Sequence, residues 1–503
     1  MKKAINNIFN VCFFIVSIMI FEVAFSQMIL QSFFAGLMII PVSALFLYIC
    51  IKKTDLIEKI NYKAAWWILR IISIAFMMKL AFSLEVNFTW DWGGLINSSY
   101  NYIKTAKVDK LYYYARYPNN QFWLLCMVSL FKLIKLFVGN ADIIVFKRVS
   151  MAVSVVIIQI AIEFIYRAAG VIFSAKKAFF AGIITLFCAP LYLYSGFLYT
   201  DTPCVLTASI MLFLYFKIQK SKSTKSKIVF YILLGITGAF SYLIKLTSVI
   251  VFVAILIGMI FNKISFKQFM CFFLVSIVTL GVTVKAVSTV TKPIYKNKFG
   301  ITEELEAKNE FPPTHWVMMG LGYGGYLQED VNYTASFDTY RKKEEANIKE
   351  IKKRVKDYGF FGFLDHTFSK KVIRTFGDCT LAGSFYAGRE SVYNKGIFTR
   401  LLTWHGDLYP ISLIYFWIYY IFITLGILFS AIESFKKKRT EENQTLLAGR
   451  IAIFGIFNFM LIWECNSRYI LVFVPVLILL ATDGLSYFVK TFNNYLNLKK
   501  ELR

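Results

Sequence analysis

The sequence predicts an all-α polytopic membrane protein, and two features support this fold class. The chain of 503 residues is 57% hydrophobic and only 17% charged, whereas soluble domains carry about 25% charged residues. Apolar runs of about 16 to 24 residues recur along the chain, which is the length that a helix needs to cross a bilayer. Because backbone groups in lipid must bond within the protein, we expect these runs to be helices.

The net charge of +26 has a simple explanation in a membrane protein. Lys and Arg accumulate in cytoplasmic loops and contact anionic lipid. We therefore expect the lipid bilayer, and no nucleic acid, as the partner of this charge. The eight cysteines show no paired spacing, so the sequence predicts neither a disulfide framework nor a zinc site.

Residues 1–288 are predicted to form a membrane catalytic module. Basic residues at Lys2, Lys3 and in the loop 52–63, including Lys53, are expected in the cytoplasm, which leaves 87–118 as the first external loop. The predicted spans of this module are 9–26, 28–51, 64–86, 147–170, 178–198, 204–218, 229–244, 246–261 and 269–288, with Lys263 again inside.

Residues 119–138 are an exception among the apolar runs because they contain two lysines. If the basic stretches 176–177 and 217–227 are both cytoplasmic, Asp201 lies outside only when 119–138 does not cross. We favour an in-plane helix with its lysines at the level of the lipid headgroups. The alternative is that the charge rule fails at the short basic turn 176–177.

Residues 289–408 are predicted to form an α-rich, mixed external subdomain, since they are the only long polar segment. Within it, 341–358 is predicted to be a solvent-exposed helix with i,i+4 ion pairs. The glycine-rich run 320–326 follows no predicted strand, so it is not a dinucleotide or phosphate loop. Residues 409–503 hold the last three spans and a basic tail ending at Arg503; with the basic stretch 436–439 inside, both termini are cytoplasmic. These spans are 409–432, 447–464 and 468–489.

Several charged residues fall on the external side of this topology and predict a site for a phosphate group and a hydroxyl nucleophile. Charges at membrane depth are costly and face aqueous cavities or each other. Cations neutralise phosphate oxygens, and a carboxylate accepts a proton from a hydroxyl. The candidates are the carboxylates Asp91 and Asp201 and the cations Arg116, Lys245 and Arg468, with Trp92 and Tyr117 as neighbours for substrate contact.

Each charged candidate also has a plain structural interpretation. Asp91 fits an ordinary loop carboxylate, Asp201 fits a helix cap, and Arg116 fits a side chain that snorkels beside tyrosines. Lys245 fits an external turn, and Arg468 fits an interface anchor. The aromatic residues of the first loop fit an interfacial belt as well as a sugar-stacking surface, and the three histidines fit structural or solvated positions better than metal ligation.

Four short runs resemble signature runs of the GT-C membrane glycosyltransferases in their order and sidedness. They are Tyr-Pro-Asn-Asn (117–120), Thr-His-Trp-Val-Met-Met-Gly (314–320), Phe-Gly-Asp (376–378) and Asn-Ser-Arg-Tyr (466–469). The branch that they resemble is that of the protein O-mannosyltransferases and aminoarabinose transferases, in a bacterial, Gram-positive-like version. The apolar runs above predict a GT-C-like bundle of about twelve transmembrane helices, and the resemblance implies in-plane helices in the first external loop.

The resemblance also implies an inverting glycosyltransferase of the cell membrane with an extracytoplasmic active site. Its donor would be a sugar on a polyprenyl phosphate, and its acceptor a cell-envelope glycan, a teichoic acid or a protein. By resemblance, Asp91 matches the catalytic carboxylate, Asp201 the second acidic position, and the basic residues the lipid-phosphate contacts. A divalent metal ion near the phosphate is the one cofactor that some members bind, and its ligands cannot be placed in this chain. Where some relatives have two adjacent acidic residues, this chain has Asp91-Trp92, so neither a mannose donor nor a protein acceptor is implied.

Two other functions remain open from the sequence. A lipid-linked-sugar flippase or transporter would explain charges at membrane depth without a catalytic base. Transporters, however, tend to hold their charges near the midplane and to show repeated halves, and no repeat is visible here. A non-catalytic scaffold of envelope assembly is the third possibility, which the set of charged candidates disfavours.

Overall fold

The structure confirms the predicted fold class, an all-α polytopic membrane protein. The computed structural model describes residues 2–52, 59–261, 264–436 and 441–501. Within these ranges the elements are helices, and there is no strand beyond one isolated bridge between Val86 and Ser391. The predicted cytoplasmic positions Lys53, Lys263, 437–439 and Arg503 lie outside the described residues.

Ten helices of the described chain are long and apolar enough to cross a membrane, and two shorter apolar helices accompany them. The long ones are Ala4–Gln31, Phe33–Ile51, Tyr62–Ser83, Pro118–Val138, Ile143–Ile172, Asp201–Lys220, Thr224–Ile244, Phe266–Phe299, Tyr409–Glu433 and Ser467–Lys499. The shorter ones are Leu246–Ile260 and Leu447–Ile462.

The remaining helices are short or polar and lie mostly in the first loop and the polar region. In chain order they are Trp90–Thr105, Leu111–Arg116, Ala175–Leu186, Ala189–Leu193, Glu303–Asn309, Thr314–Gly320, Gln328–Ala335, Tyr340–Asp365, His366–Lys370, Lys371–Phe376, Gly383–Gly388, Ile397–Leu402 and Glu441–Thr445.

Two predicted spans have different boundaries in the structure. The predicted span 178–198 is wrong as a single helix, because the chain breaks at Cys188 and restarts with Pro190 in the first turn of the next helix. Proline suits that position since it lacks the N–H that would be unpaired there. The predicted span 269–288 continues as a helix to Phe299, past Pro293, so no break marks the expected domain boundary at 289.

The two long helices that flank residues 84–142 run antiparallel. The Lys147 ammonium lies 2.6 Å from the Glu85 carboxylate at one end of the pair, and the Trp66 indole donates to Glu163 at 3.1 Å near the other end. The intervening loop therefore leaves the bundle and returns to it at the same face.

Within that loop, the helix Gln121–Val138 keeps both ends near the same face. The Trp123 indole donates to the Leu198 carbonyl at 3.5 Å, and the Lys135 ammonium donates to the Ile103 carbonyl at 2.9 Å. These contacts favour the in-plane arrangement. Length and composition alone also allow this helix to cross, so the in-plane placement stays a prediction.

The polar region is helical, as expected. The predicted helix 341–358 is confirmed within Tyr340–Asp365, where Arg341 pairs with Glu345 at 2.9 Å. The helix kinks at Gly359, whose φ of 60° suits glycine. A second ion pair, between the Arg354 guanidinium and Asp330 at 2.6 Å, ties this helix to its neighbour.

The final helix packs against Tyr409–Glu433 at a point where only small residues fit. A Cβ built on Gly484 would lie 1.8 Å from the Gly426 carbonyl oxygen, and one on Gly426 would lie 2.7 Å from the Ala481 backbone. Small residues allow helix backbones to approach closely within membranes. This contact holds the last helix, which also carries Arg468, against the bundle.

We expect Gly484→Ala to destabilise the protein by about 1–3 kcal/mol, because the new methyl group meets backbone that cannot move aside. The measurement is the midpoint of thermal unfolding in detergent. Gly281→Ala is the matched control, since its Cβ would meet nothing within 4 Å. Equal midpoints for the two variants would show that the helices separate easily.

Candidate functional site

The centre of the candidate site is a buried carboxylate between two cations. Asp201 is the first residue of the helix Asp201–Lys220, and its side chain is 2% exposed. One carboxylate oxygen forms an ion pair with Lys245, and the other lies 3.6 Å from the Arg468 guanidinium. The sequence predicted that these three residues share one face, and the structure brings them into direct contact.

Helix boundaries position the two cations of the cluster, Lys245 and Arg468. Lys245 lies in extended conformation between the helix Thr224–Ile244 and the turn after it, so its side chain projects from a helix junction. Arg468 follows Asn466, whose side chain accepts from the Arg468 backbone N–H at 2.9 Å and caps the start of the last helix. Each cation therefore stands where a helix starts or stops, which is where a side chain can turn into the bundle.

Aromatic rings enclose the Arg468 guanidinium. Its central carbon lies 5.0 Å from the ring centre of Tyr386, 5.3 Å from Trp90 and 5.6 Å from Tyr199. A desolvated cation over an aromatic face gains about 2 kcal/mol. The rings thus hold a charge at membrane depth while leaving the cluster of one carboxylate and two cations with a net positive charge.

Asp91 lies in the first turn of the helix Trp90–Thr105 and directly follows Trp90, one of the rings around Arg468. The Tyr199 hydroxyl donates to its carboxylate at 3.5 Å. The pKa of Tyr113 lies well above its usual value, because of burial and then the nearby Asp91 charge. The Tyr113 phenol therefore keeps its proton and can donate it in a hydrogen bond to Asp91. Two phenols therefore orient a half-buried carboxylate.

The residue before Asp91 has a strained backbone. Trp90 has φ of 46°, a left-handed conformation that is a genuine outlier for a bulky side chain. The structure maintains it because the indole packs against Tyr386 at 4.8 Å and Tyr199 at 5.1 Å. Gly93 permits the same turn, since a Cβ there would lie 2.2 Å from the Phe88 backbone. Strain of this kind concentrates at functional sites.

Arg116 is the last residue of the helix Leu111–Arg116, which also carries Tyr113. Its guanidinium covers the Phe311 ring at 4.9 Å, and the next residue, Tyr117, packs on the same ring at 5.9 Å. Among the described residues Arg116 has no ion pair with a carboxylate, and its Nε is buried without a hydrogen-bond partner. Unlike Lys245 and Arg468, which both face Asp201, Arg116 is not paired with a carboxylate in the described chain.

Glu464 is a second carboxylate of the site, which the sequence reasoning did not select. It is 7% exposed. Its pKa is raised to about 7, chiefly by burial. The Arg468 charge and a hydrogen bond from Tyr469 oppose this rise, and the Asp91 charge adds to it. Its position between two apolar helices, four residues before Arg468, was the signal available in the sequence.

The glycine-rich run 320–326 fixes the backbone around Glu464. The Cys465 N–H donates to the Gly324 carbonyl at 2.8 Å, and a Cβ on Gly320 would lie 2.7 Å from the Trp463 carbonyl oxygen. The run ends at Tyr326, whose pKa is raised by burial and then by the charge of Asp91. The glycines therefore serve close packing beneath the site, consistent with their rejection as a phosphate loop.

The four short runs noted in the sequence converge here. Trp316, from the second run, stacks on Trp463 with ring centres 5.4 Å apart and lies 6.3 Å from Tyr117 of the first run. In the third run, the Asp378 carboxylate accepts from Ser467 of the fourth run at 3.5 Å. Their convergence shows that distant stretches of sequence build one site.

Some predicted residues do not face the site or fit their expected role. The Trp92 ring is fully buried and packs on Phe197 at 5.3 Å, so its predicted substrate contact has no support from this geometry. His315, in contrast, has a structural position of the kind expected for it, because it is buried and bonds to Thr334 at 2.7 Å.

The residues of the site do not fit a bound divalent metal ion. Both Asp201 oxygens face cations, and no group of three or more His, Cys, Asp or Glu side chains in the described chain has the arrangement to hold a metal.

The fold and the site define a polytopic helical membrane protein with a buried charged cluster at one end of its bundle. The chain belongs to a family described as conserved hypothetical integral membrane protein, whose sequence model matches residues 1–487. The match covers nearly the whole chain and agrees with the apolar helices. A comparison with curated proteins found no match.

We expect Glu464→Gln to stabilise the protein at pH 8 and to leave it unchanged at pH 4.5. The folded carboxyl has its pKa raised from 4.5 to about 7, so the native state holds a proton that the unfolded state releases. The contribution of the Glu464 carboxyl to the free energy of unfolding is fully present below pH 4.5. It is lost as the pH rises through 7, and the loss amounts to about 3 kcal/mol.

The measurement is the unfolding midpoint of both proteins across this pH range. Glu345→Gln, at an exposed helix position, is the control and should show no such divergence. A difference between Glu464→Gln and the unmodified protein that does not change with pH would contradict the raised pKa.

Proposed function

We propose that this protein is a membrane glycosyltransferase that moves a sugar from a polyprenyl phosphate to an extracytoplasmic acceptor. The observation that carries the proposal is that Tyr199 links Asp91 to the cluster of Asp201, Lys245 and Arg468. The Tyr199 hydroxyl donates to Asp91 at 3.5 Å, and the Tyr199 ring centre lies 5.6 Å from the Arg468 guanidinium carbon. A carboxylate beside a cationic, partly enclosed cluster suits the attack of a hydroxyl on a sugar phosphate. The resemblance to GT-C enzymes supports the same reaction.

In the proposed reaction, Asp91 takes the proton of the acceptor hydroxyl. The hydroxyl oxygen bonds to the anomeric carbon from the side opposite the phosphate, while the bond from that carbon to the phosphate oxygen breaks. The electron pair leaves with the polyprenyl phosphate, and the configuration at carbon inverts. Tyr113 and Tyr199 act as positioning residues, because they donate to the carboxylate and fix its direction.

Cations rather than an acid assist the leaving group. Phosphate is already a good leaving group, so its developing charge needs neutralisation more than a proton. Arg116 suits this role because its charge is not paired with a carboxylate in the described chain and its Nε has no hydrogen-bond partner. Lys245 and Arg468 share their charge with Asp201, which we assign as the positioning residue that holds both cations.

The distribution of charge supports an extracytoplasmic site. Lys177 binds Asp483 at 2.9 Å, and Asp483 lies roughly 20 Å further along the last helix than Arg468, at about 1.5 Å per residue. The basic stretches near Lys177 are thus at the opposite end of the bundle, where the positive-inside rule expects the cytoplasm.

A lipid-linked-sugar flippase is the alternative that the same charges allow. Mass spectrometry of envelope polymers and lipid-linked sugars, with and without the gene, separates the two functions. Loss of one glycan, teichoic-acid or protein modification with lipid-linked sugar accumulating on the outer leaflet supports transfer. Accumulation on the cytoplasmic leaflet would instead identify a flippase.

We expect Asp91→Asn to lower transfer at least 100-fold, because general-base catalysis contributes about that much or more. Protein level and unfolding midpoint should stay normal, since this half-buried side chain has no ion pair in the described chain. Asp357→Asn, on the exposed helix, is the control for loss of one carboxylate. Near-normal transfer by Asp91→Asn would remove this residue from the mechanism.

We expect Arg116→Gln to raise the KM for the lipid donor by about 10- to 100-fold, since a hydrogen bond to a charged group contributes about 1.5–3 kcal/mol. The KM of Arg116→Lys should lie between those of Arg116→Gln and the unmodified protein. Lysine keeps the positive charge but lacks the planar guanidinium with its paired donors. The measurement is the initial rate against donor concentration. If Arg116→Gln changes only the dependence on acceptor, Arg116 does not hold the phosphate.

A further inference from the structure

A cleft away from the charged site lies between the ends of the two helices Trp90–Thr105 and Gln121–Val138. Its volume is about 610 Å³. Its lining combines cationic and apolar side chains and includes no acidic residue among the described positions: Tyr102, Ile103, Ala106, Lys132, Lys135, Leu136, Gly139 and Asn140. Neither the fold nor the proposed reaction requires this cleft.

The lysines of the cleft keep hydrogen-bond donors for a ligand. The Lys135 ammonium has three N–H donors, and one of them donates to the Ile103 carbonyl at 2.9 Å. Lys132 lies 5.2 Å from the Tyr102 ring centre, is exposed, and has no hydrogen bond to the described protein. Nearby Lys104 donates to the Asn140 carbonyl at 3.2 Å. These contacts offset the negative helix ends that would otherwise repel an anion.

The apolar rim of the cleft consists of the lining residue Leu136 and the next residue in the chain, Phe137. Leu136 is 79% exposed and Phe137 is 82% exposed, and both follow Lys135 on a helix that is apolar enough to lie in a membrane. A soluble anion would leave these side chains in water. A ligand with both an anionic head and hydrocarbon chains satisfies the lysines and the rim together.

We infer that this cleft binds the headgroup phosphate of an anionic phospholipid of the surrounding bilayer. The phosphate lies against Lys132 and Lys135, and the acyl chains lie along Leu136 and Phe137. A bound lipid would hold the first-loop helix at the membrane surface, whether or not the protein transfers sugars.

The test uses the purified full chain in phosphatidylcholine nanodiscs with an increasing share of phosphatidylglycerol, and native mass spectrometry to measure retained lipid. We expect preferential retention of phosphatidylglycerol, falling about five-fold for each lysine lost in Lys132→Gln and in the double variant with Lys135→Gln. The exposed pair Lys349→Gln and Lys352→Gln removes the same charge elsewhere and should retain the lipid normally.

Three results would overturn the inference. One is equal retention in the Lys132/Lys135 and Lys349/Lys352 double variants, and another is equal retention of phosphatidylcholine and phosphatidylglycerol. The third is displacement of the lipid by millimolar inorganic phosphate, which would define a soluble-phosphate site. Lys135 also bonds to the Ile103 carbonyl, so its replacement removes a contact within the fold. Lys132→Gln alone and Leu136→Ser therefore serve as independent variants, and both should lower retention.

Discussion

The buried pairing of Asp201 with Lys245 and Arg468 is the interaction on which the site depends. A buried charge without a partner costs several kcal/mol, and removal of one partner from a buried pair costs about 3–5 kcal/mol. Asp201 starts one helix, Lys245 follows the end of the next, and Arg468 lies at the start of the helix Ser467–Lys499. Their pairing therefore fixes how these helix ends meet. Because two cations share one carboxylate, the cluster remains attractive to an anion after folding is complete.

Much of the membrane fold could be predicted because span length and loop charge are direct consequences of lipid physics. Apolar runs show which segments are buried, but they do not show whether such a segment is one continuous helix. The run 178–198 stayed apolar through the break at Cys188, and only Pro190 signalled it. Pro293 is the opposite case, since this proline does not end its helix. The chain continues past it through a π-helical turn to Phe299.

The site could be predicted in part, through the sidedness of rare charges. That argument selected Asp201, Lys245 and Arg468, which do meet. It passed over Glu464, because a single carboxylate between two apolar runs looks like an ordinary loop residue until its burial is known. The same argument could not predict that the Trp92 ring is buried in the core. At a strained helix start, buried and exposed positions do not follow the regular helical period.

The position of Arg468 near the end of the chain has a consequence for biogenesis. Helices enter the membrane in the order of synthesis, so Asp201 and Lys245 are both in place before Arg468 emerges from the ribosome. The early pair is electrically neutral, which suits a segment waiting at the membrane surface. Arrival of the helix that carries Arg468 adds the positive charge, so the attraction for an anion arises only after that helix has packed.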